Sequence, residues 1–200
     1  MTFFGDFGKQ RFPEQYQNRV GINAKELLHK NSLELVKLLK EKNIIRKNLK
    51  VFEMGAGGGR NLFYIWREED SVSLACNDLF RDASMANMHP LIKDKIDFIE
   101  GDSEEVIKNN LREVDLFLVS DHFMHLQYDK ADSIITSIME KWKPTFLMIR
   151  EVRKDFESPM HPKLFHNYLR FLEKYDLIHD SLSENDSTYF IWILKIKQDQ

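Results

Sequence analysis

The chain has 200 residues, of which 42% are hydrophobic and 30% are charged. This composition is too apolar for a disordered chain and suits one soluble domain with a buried core. The formal net charge is −3, and the basic residues are spread along the chain instead of forming one block. Because proteins that bind nucleic acid usually carry a basic stripe, the charge pattern argues against a nucleic-acid partner.

Cysteine content and hydropathy indicate the compartment. Cys76 is the single cysteine, so no intramolecular disulfide can form and a Cys/His metal site is not expected. The first residues lack the positive region and apolar run of a signal peptide. No stretch approaches the roughly 20 apolar residues that span a bilayer. We therefore expect a cytoplasmic protein with neither a membrane partner nor a bound metal.

The N-terminal quarter of the chain differs in pattern from the rest. Residues 1 to about 22 are aromatic and irregular, and apolar spacings of three and four predict a helix over 23–42. Asn31 and Ser32 offer a place where this helix could break in two. We interpret 1–48 as an extension, either a lid or a strap on the sheet with the strap favoured, and 49–200 as the main domain.

Alternation of strands and helices dominates the main domain. The predicted segments are strand 49–54, helix 61–69, strand 71–77, helix 82–93 interrupted at Pro90, strand 96–100, helix 104–111, strand 114–120, helix 129–142 with Asp129 as N-cap, strand 145–151, helix 161–175, and strands 178–182 and 188–197. The last two strands have no helix between them and must pair antiparallel. The pattern predicts an α/β fold: a doubly wound, mostly parallel seven-stranded sheet with an antiparallel C-terminal hairpin, helices on both faces and a helical N-terminal extension.

A glycine cluster carries the strongest local signal. Residues 53–59 read Glu-Met-Gly-Ala-Gly-Gly-Gly, between an apolar strand and a helix. Glycine permits a sharp turn there and lets a ligand approach the backbone, which favours a nucleotide-type cofactor at the helix N-terminus. The alternative is a flexible loop with a chance run of glycines.

Two acidic residues follow the next strands. Asp78 lies 19 residues after Gly59, where a carboxylate can accept from both hydroxyls of a ribose. Asp102 follows the third strand and could accept from an adenine amino group. Either residue could instead cap the helix that comes after it, and for Asp102 both roles are compatible.

These motifs, in this order, resemble the class I S-adenosylmethionine-dependent methyltransferases over about residues 49–197. The family pattern acidic-x-Gly-x-Gly-x-Gly is matched by Glu53, Gly55, Gly57 and Gly59. The segment 121–126 after the fourth strand ends in His-Leu, as in many small-molecule methyltransferases of that family. The sequence departs from the family at Pro144, which is followed by Thr145 and Phe146 instead of the usual glycines.

The resemblance implies S-adenosylmethionine as cofactor and S-adenosylhomocysteine as product. Glu53 and the backbone at Gly55 and Gly57 would hold the methionine end, and Asp78 the ribose. Asp102 and Ser103 would face the adenine, and Ser120 and Asp121 would lie near the sulfonium and the acceptor. The complete expected set of cofactor contacts is Glu53, Gly55, Ala56, Gly57, Asp78, Leu79, Asp102, Ser103 and Ser120.

Candidates for catalysis and acceptor binding come from the same edge of the sheet. His125 is the candidate general base, with Asp121 and His122 beside it, since imidazole titrates near neutral pH. A structural role is equally open for His125 and is favoured for His122. Tyr16, Arg19 and Glu151 are candidates for binding the acceptor.

Several acceptors can be argued against. The fourth strand is followed by Ser120-Asp121-His122-Phe123, without the Asp/Asn-Pro-Pro motif of enzymes that methylate DNA bases. The single cysteine lies in the second strand, not where pyrimidine-carbon methylation needs a nucleophile. We therefore expect methyl transfer to oxygen or nitrogen of a small molecule such as a sugar. Two alternatives stay open, a non-catalytic module that binds the cofactor, and lyase or aminopropyl-transfer chemistry with the same cofactor.

Overall fold

A computed structural model describes residues 22–152, 168–185 and 187–197 of the chain. The helices are α1 Ile22–Glu41, α2 Arg60–Glu68, α3 Arg81–Asn87, α4 Pro90–Lys93, α5 Ser103–Asn109 and α6 Tyr128–Ser137. The strands are β1 Lys50–Met54, β2 Ser73–Asp78, β3 Ile96–Glu100, β4 Leu116–Ser120, β5 Phe146–Val152, β6 Tyr175–Leu182 and β7 Tyr189–Ile196. Two short 3₁₀ helices, Phe123–His125 and Tyr168–Glu173, and a π-helical turn, Ile138–Trp142, complete the elements.

The seven strands form one sheet in the order β3-β2-β1-β4-β5-β7-β6. Neighbours from β3 to β5 pair in parallel, while β7 runs antiparallel between β5 and β6. This arrangement confirms the predicted doubly wound sheet with its antiparallel C-terminal hairpin. The central strands β1, β4 and β5 are buried on both faces, which explains why β4 reads as an uninterrupted apolar run.

Two apolar clusters cover the two faces of the sheet. One is built around Phe52, Phe117 and Trp142 below α5 and α6, and the other around Leu39, Leu62 and Leu118. The second cluster includes residues of α1, so α1 packs directly on the sheet. Buried Glu34 of α1 also accepts from Ser183 Oγ at 2.7 Å, which ties the helix to the β6–β7 turn.

Three predicted local features differ from the structure. Helix α1 runs unbroken through Asn31 and Ser32, because both side chains are buried and the helix continues onto the sheet. Asp129 is not an N-cap: α6 begins after Gln127, and Asp129 Oδ1 accepts from the neighbouring amide of Lys130. The predicted helix 161–175 is wrong where it is described, since Tyr168–Glu173 is 3₁₀ and Tyr175 begins β6. Residues 161–167 of that prediction lie outside the described residues.

The turn before β5 takes an unusual form. Lys143 adopts a left-handed backbone conformation with φ 44°, and its amide donates to the Ile138 carbonyl at 2.8 Å. Lys143 thus supplies the positive φ for which glycine is normally used, and Thr145 and Phe146 continue directly into the sheet. None of the described helices is long and apolar enough to cross a membrane.

Candidate active site

The strand order reverses between β1 and β4, and this point defines a crevice at the carboxyl ends of the two strands. From β1 the chain proceeds outward through β2 to β3, whereas β4 and β5 lie on the other side. In open α/β sheets, ligands bind outside the carboxyl ends of strands at such a reversal. The loops after β1, β2, β3 and β4 bring the predicted site residues to this edge.

The loop from β1 to α2 turns through three glycines in left-handed conformation. The φ angles are 66° at Gly55, 52° at Gly57 and 64° at Gly59. The Ala56 amide donates to the Asn77 carbonyl at 3.0 Å, and the Gly57 amide donates to Asp78 Oδ2 at 2.8 Å. These bonds fix the loop against the end of β2, so it is an ordered turn and not a slack run of glycines.

Gly55 lies directly against the ring of His122. A Cβ placed at Gly55 would lie 2.1 Å from His122 Nδ1, which is far inside van der Waals contact. His122 Nε2 also pairs with Ser103 Oγ at 2.8 Å, so the ring connects the β1–α2 loop with the start of α5. Removal of the ring from solvent and the neighbouring charge of His125 lower the pKa of His122 to about 4. The ring is therefore neutral at pH 7, consistent with the favoured structural role.

Asp78 is the last residue of β2 and points at the glycine loop. Burial raises the pKa of its carboxyl group, and hydrogen bonds from the amides of Gly57 and Phe80 oppose this shift. Oδ2 accepts the short bond from Gly57, and Oδ1 accepts a longer one of 3.4 Å from the Phe80 amide. The next residue, Leu79, is 52% exposed at the mouth of the crevice.

Glu53 lies at the end of β1 with a buried carboxyl group. Oε1 accepts from Asn61 Nδ2 at 2.6 Å, but no partner lies within reach of Oε2 among the described residues. Burial raises the pKa of Glu53 to about 7, although the hydrogen bond from Asn61 opposes the shift. A buried carboxyl oxygen without a partner is rare in folded proteins, so Oε2 is a candidate acceptor for a donor group of a ligand.

Ser103 and Asp102 follow β3 at the start of α5. Ser103 Oγ accepts from Asn77 Nδ2 at 3.1 Å and contacts His122, which joins the ends of β2, β3 and β4. Asp102 is the N-cap of α5, since Oδ1 accepts from the Glu104 amide at 3.0 Å, and Oδ2 pairs with Lys130 at 2.9 Å. Partial burial acts to raise the pKa of Asp102, but the bond and charge of Lys130 outweigh it and the pKa is lowered.

The chain leaves β4 through a strained residue. Asp121 has φ 58°, a left-handed conformation that costs energy in a residue with a side chain. Its carboxylate accepts from Arg150 Nη1 at 2.6 and 2.7 Å, and Ser120 Oγ lies 3.4 Å from Oδ2. Strain of this kind is concentrated at functional sites, and here it turns Asp121 toward β5.

Glu151 and His125 occupy different surroundings. The buried carboxyl group of Glu151 accepts from the amides of His122 and Phe123 at 2.8 Å each. Glu151 thus anchors the 3₁₀ helix Phe123–His125. Burial and the neighbouring charge of Asp121 raise the pKa of Glu151 to about 8.

His125 is exposed at the end of that short helix. Tyr16 and Arg19 lie outside the described residues.

Sequence reasoning missed Asn77 and Arg150. Asn77 is buried and holds Ser103, and Arg150 is buried and holds Asp121. Each is a polar residue within an apolar strand, and this pattern could have revealed them. A polar side chain that is buried in a sheet needs a hydrogen-bond partner. Among the described residues, no cluster of His, Cys, Asp and Glu is suited to hold a metal ion.

Comparison with solved structures identifies the fold. A methyltransferase dependent on S-adenosylmethionine from Aquifex aeolicus matches with a TM-score of 0.66 and 14% identity, over 92% of this chain and 98% of its own. The chain has the fold of the class I S-adenosylmethionine-dependent methyltransferases. Magnesium protoporphyrin IX methyltransferase from Synechocystis PCC 6803, solved with the cofactor bound, matches with a TM-score of 0.66 and 12% identity, over 97% and 88% of the two chains.

The methyltransferase fold is thus established by structure and not by sequence. Mitomycin 7-O-methyltransferase matches with a TM-score of 0.67 and 12% identity over 96% of this chain, but this chain spans only 59% of that enzyme's length. No protein-family model and no curated protein sequence matches the chain. At identities of 12–14%, activity and acceptor must be argued from the site itself.

Proposed function

We propose that the protein transfers a methyl group from S-adenosylmethionine to oxygen or nitrogen of a small-molecule acceptor. The observation that carries the proposal is the pairing of the left-handed glycine loop with Asp78 at the reversal of the methyltransferase sheet. The loop amide of Gly57 already donates to the carboxylate that is expected to bind the ribose. The glycine cluster and Asp78, which are independent signals in the sequence, therefore meet in one crevice.

The residues of the crevice fit the cofactor. The unpartnered Oε2 of Glu53 suits the ammonium group of the methionine end. The Asp78 carboxylate, held beside the glycine loop, suits the ribose hydroxyls, and the Asp102 loop lies where the adenine is expected. Gly55 allows the close approach of the His122 ring, which forms the adjoining wall. These assignments agree with those that the sequence resemblance implies.

When bound, the cofactor would supply a methyl group whose bond to the positively charged sulfur is activated for attack by a lone pair of the acceptor. The chain must align the acceptor with that bond and exclude water. Asp121 and Ser120 lie at the carboxyl end of β4, beside the reversal point, and are placed to orient the acceptor. His125, exposed at the rim, is our candidate for taking a proton from an acceptor hydroxyl or ammonium group.

Incubation with methyl-labelled cofactor and a pool of cellular metabolites tests the proposal. We expect label in a small-molecule product and an equal amount of S-adenosylhomocysteine. Recovery of the label in methylthioadenosine, with no S-adenosylhomocysteine formed, would instead support lyase or aminopropyl chemistry. Binding without any turnover would support a non-catalytic module.

Substitution of the candidate base gives a separate test. We expect His125→Gln to lower kcat by about 10²-fold, the usual contribution of a general base, with the cofactor Kd unchanged. Steady-state kinetics on the labelled product and calorimetric titration of the cofactor measure the two quantities. An unchanged kcat would assign His125 to the structural role.

A further inference from the structure

Arg150 has one of the most enclosed charged side chains among the described residues. It is 1% exposed and lies near the end of β5, paired in register with Ser120 of β4. Nη1 donates to both oxygens of Asp121, and the guanidinium carbon lies 4.0 Å from the centre of the Tyr189 ring. The ion pair and the stacked ring hold the guanidinium in a fixed plane.

Among the described residues, nothing pairs with one edge of this guanidinium. Nε and Nη2 are both buried, and neither has a hydrogen-bond acceptor within reach in that part of the chain. The N–H groups of these two nitrogens leave the guanidinium in parallel along one edge, at the spacing of two carboxylate oxygens. Buried charged donors are normally satisfied, because leaving them without an acceptor is costly. Fixed donors of this kind are therefore organised in advance for a planar acceptor with two oxygens.

We propose that this edge of Arg150 binds a carboxylate group of the methyl acceptor. The proposal rests on the proposed function and narrows it, from small molecules in general to acids. The carboxylate is a handle that positions the molecule, while another oxygen or nitrogen of the same molecule receives the methyl group. Arg150 is thus a specificity-determining residue and takes no part in the bond changes.

The position of Arg150 supports this assignment. Ser120 and Arg150 are direct neighbours in adjacent strands, which lie about 4.8 Å apart in a sheet. A molecule held at Arg150 is therefore one strand away from the end of β4, where the methyl group is expected. Hydrogen bonds link Asp121 to both Ser120 and Arg150 at that edge.

The surrounding charges allow an anion to bind there. Asp121 neutralises one side of the guanidinium through Nη1 and leaves the opposite edge unused. Glu151 is the adjacent acidic residue, and its raised pKa of about 8 keeps it mostly neutral at pH 7. The positive sulfonium of the cofactor adds attraction for a carboxylate on the same side of the crevice.

Arg112 provides a matched comparison. Its Nε is also buried and has no partner in the described part of the chain. However, Nη1 pairs with Asp97 at the opposite end of the strands, and the side chain is 29% exposed. Water reaches that guanidinium, so an anion site is not required there. Arg112→Lys is consequently the control for Arg150→Lys.

Side-chain ¹⁵N NMR of the full chain tests the proposal without an identified acceptor. The Arg150 Nε–H resonance, assigned through bonds from the backbone, is followed during titration with acetate and with the neutral analogue acetamide, in the presence of S-adenosylhomocysteine. We expect a saturable shift with acetate and none with acetamide. Arg150→Lys removes this resonance and so verifies its assignment, and the shift with acetate should persist in Arg112→Lys. If acetate leaves the resonance of the wild-type chain unmoved, the proposal is wrong, and this result needs no variant.

The cofactor has a carboxylate of its own, so a second titration, with S-adenosylmethionine, tells whether Arg150 binds the acceptor or the cofactor. If S-adenosylmethionine moves the Nε resonance and blocks acetate, Arg150 binds the cofactor and the proposal is overturned. If the cofactor fails to bind while acetate still shifts Arg150, the proposed function fails and the anion site stands. Among acceptors that are methylated, we expect acids and not their carboxamides to be used, with KM raised at least about tenfold by Arg150→Lys and the cofactor Kd unchanged.

Discussion

At the scale of single residues, Gly55 is constrained from two sides. Its backbone is left-handed with φ 66°, and the ring of His122 fills the space where a Cβ would lie. We expect Gly55→Ala to lower the free energy of unfolding by about 1–3 kcal/mol, since the strain of a left-handed alanine adds to a steric clash. It should also weaken S-adenosylmethionine binding, because the ring or the loop must move.

Gly58→Ala is the matched control. The Gly58 backbone does not adopt a positive φ, and a Cβ there would lie 3.2 Å or more from the backbone and side chain of Asn87. We expect a smaller loss of stability than for Gly55→Ala. Urea unfolding followed by circular dichroism measures both variants, and equal losses would show that the His122 contact is unimportant.

Glu53 leads to a prediction about pH. Its pKa in the folded protein is about 7, above the ordinary 4.5, so below pH 7 the group is mostly protonated. If the ionised form binds the cofactor ammonium, affinity rises with pH as Glu53 loses its proton. We expect the Kd to tighten roughly tenfold from about pH 6 to about pH 7.5.

The variant Glu53→Gln distinguishes the pH dependence caused by Glu53 from that caused by titration of the cofactor itself. The amide keeps the size of the side chain and does not ionise in this range, so the tightening should disappear. Calorimetric titration at the two pH values measures both proteins. Identical pH dependence in wild type and Glu53→Gln would contradict the assignment of Oε2 to the ammonium group.

The sequence singles out some residues of the candidate site and misses others for a physical reason. It points to Glu53, Gly55 and Asp78 because a turn and an acidic residue at strand ends are local patterns with fixed spacing. Arg150 was missed because its partner, Asp121, is 29 residues away and becomes a neighbour only through the register of β4 and β5. The sequence pattern of a single strand does not show which residues of another strand it will contact.

At the scale of elements, Glu151 holds the segment after β4. It accepts from the amides of His122, Phe123 and Met124, and all three amides belong to the start of the short 3₁₀ helix. We expect Glu151→Ala to cost about 2–4 kcal/mol of stability, because buried amides lose their acceptor. Urea unfolding measures the loss, and hydrogen exchange should accelerate at those amides first.

Glu151→Gln is the informative companion variant. Its amide oxygen can still accept from Phe123, so the loss should be smaller than for Glu151→Ala. If both variants keep wild-type exchange rates at His122 and Phe123, Glu151 does not anchor this segment.

Elements were predictable where one physical signal dominates. Strand β3 and the break of the helix at Pro90 follow directly from apolar patterning and from proline chemistry. Asn31 and Ser32 suggested a break, but their burial against the fold keeps α1 continuous. Tyr175 was assigned to a helix, although it starts β6, because aromatic residues suit both structures and pairing with β7 decides.

At the scale of the whole molecule, the order of strands creates the site. The sequence predicts the alternation and the final hairpin, and the reversal between β1 and β4 then brings Glu53, Asp78 and Asp121 to one edge. Distances of 2.8 Å between Gly57 and Asp78, and between Ser103 and His122, show how closely the loops meet. These contacts depend on packing of the complete domain and are not readable from any single motif.

The most direct test of the central claim is calorimetric titration of S-adenosylmethionine into wild type, Asp78→Ala and the control Asp82→Ala. Asp82 is an exposed residue in the first turn of α3, close in sequence but outside the crevice. We predict micromolar binding that Asp78→Ala weakens at least tenfold, about 1.4 kcal/mol, and that Asp82→Ala leaves unchanged. Absence of binding in the wild type, or equal affinity in Asp78→Ala, would contradict the assignment of this crevice to the cofactor.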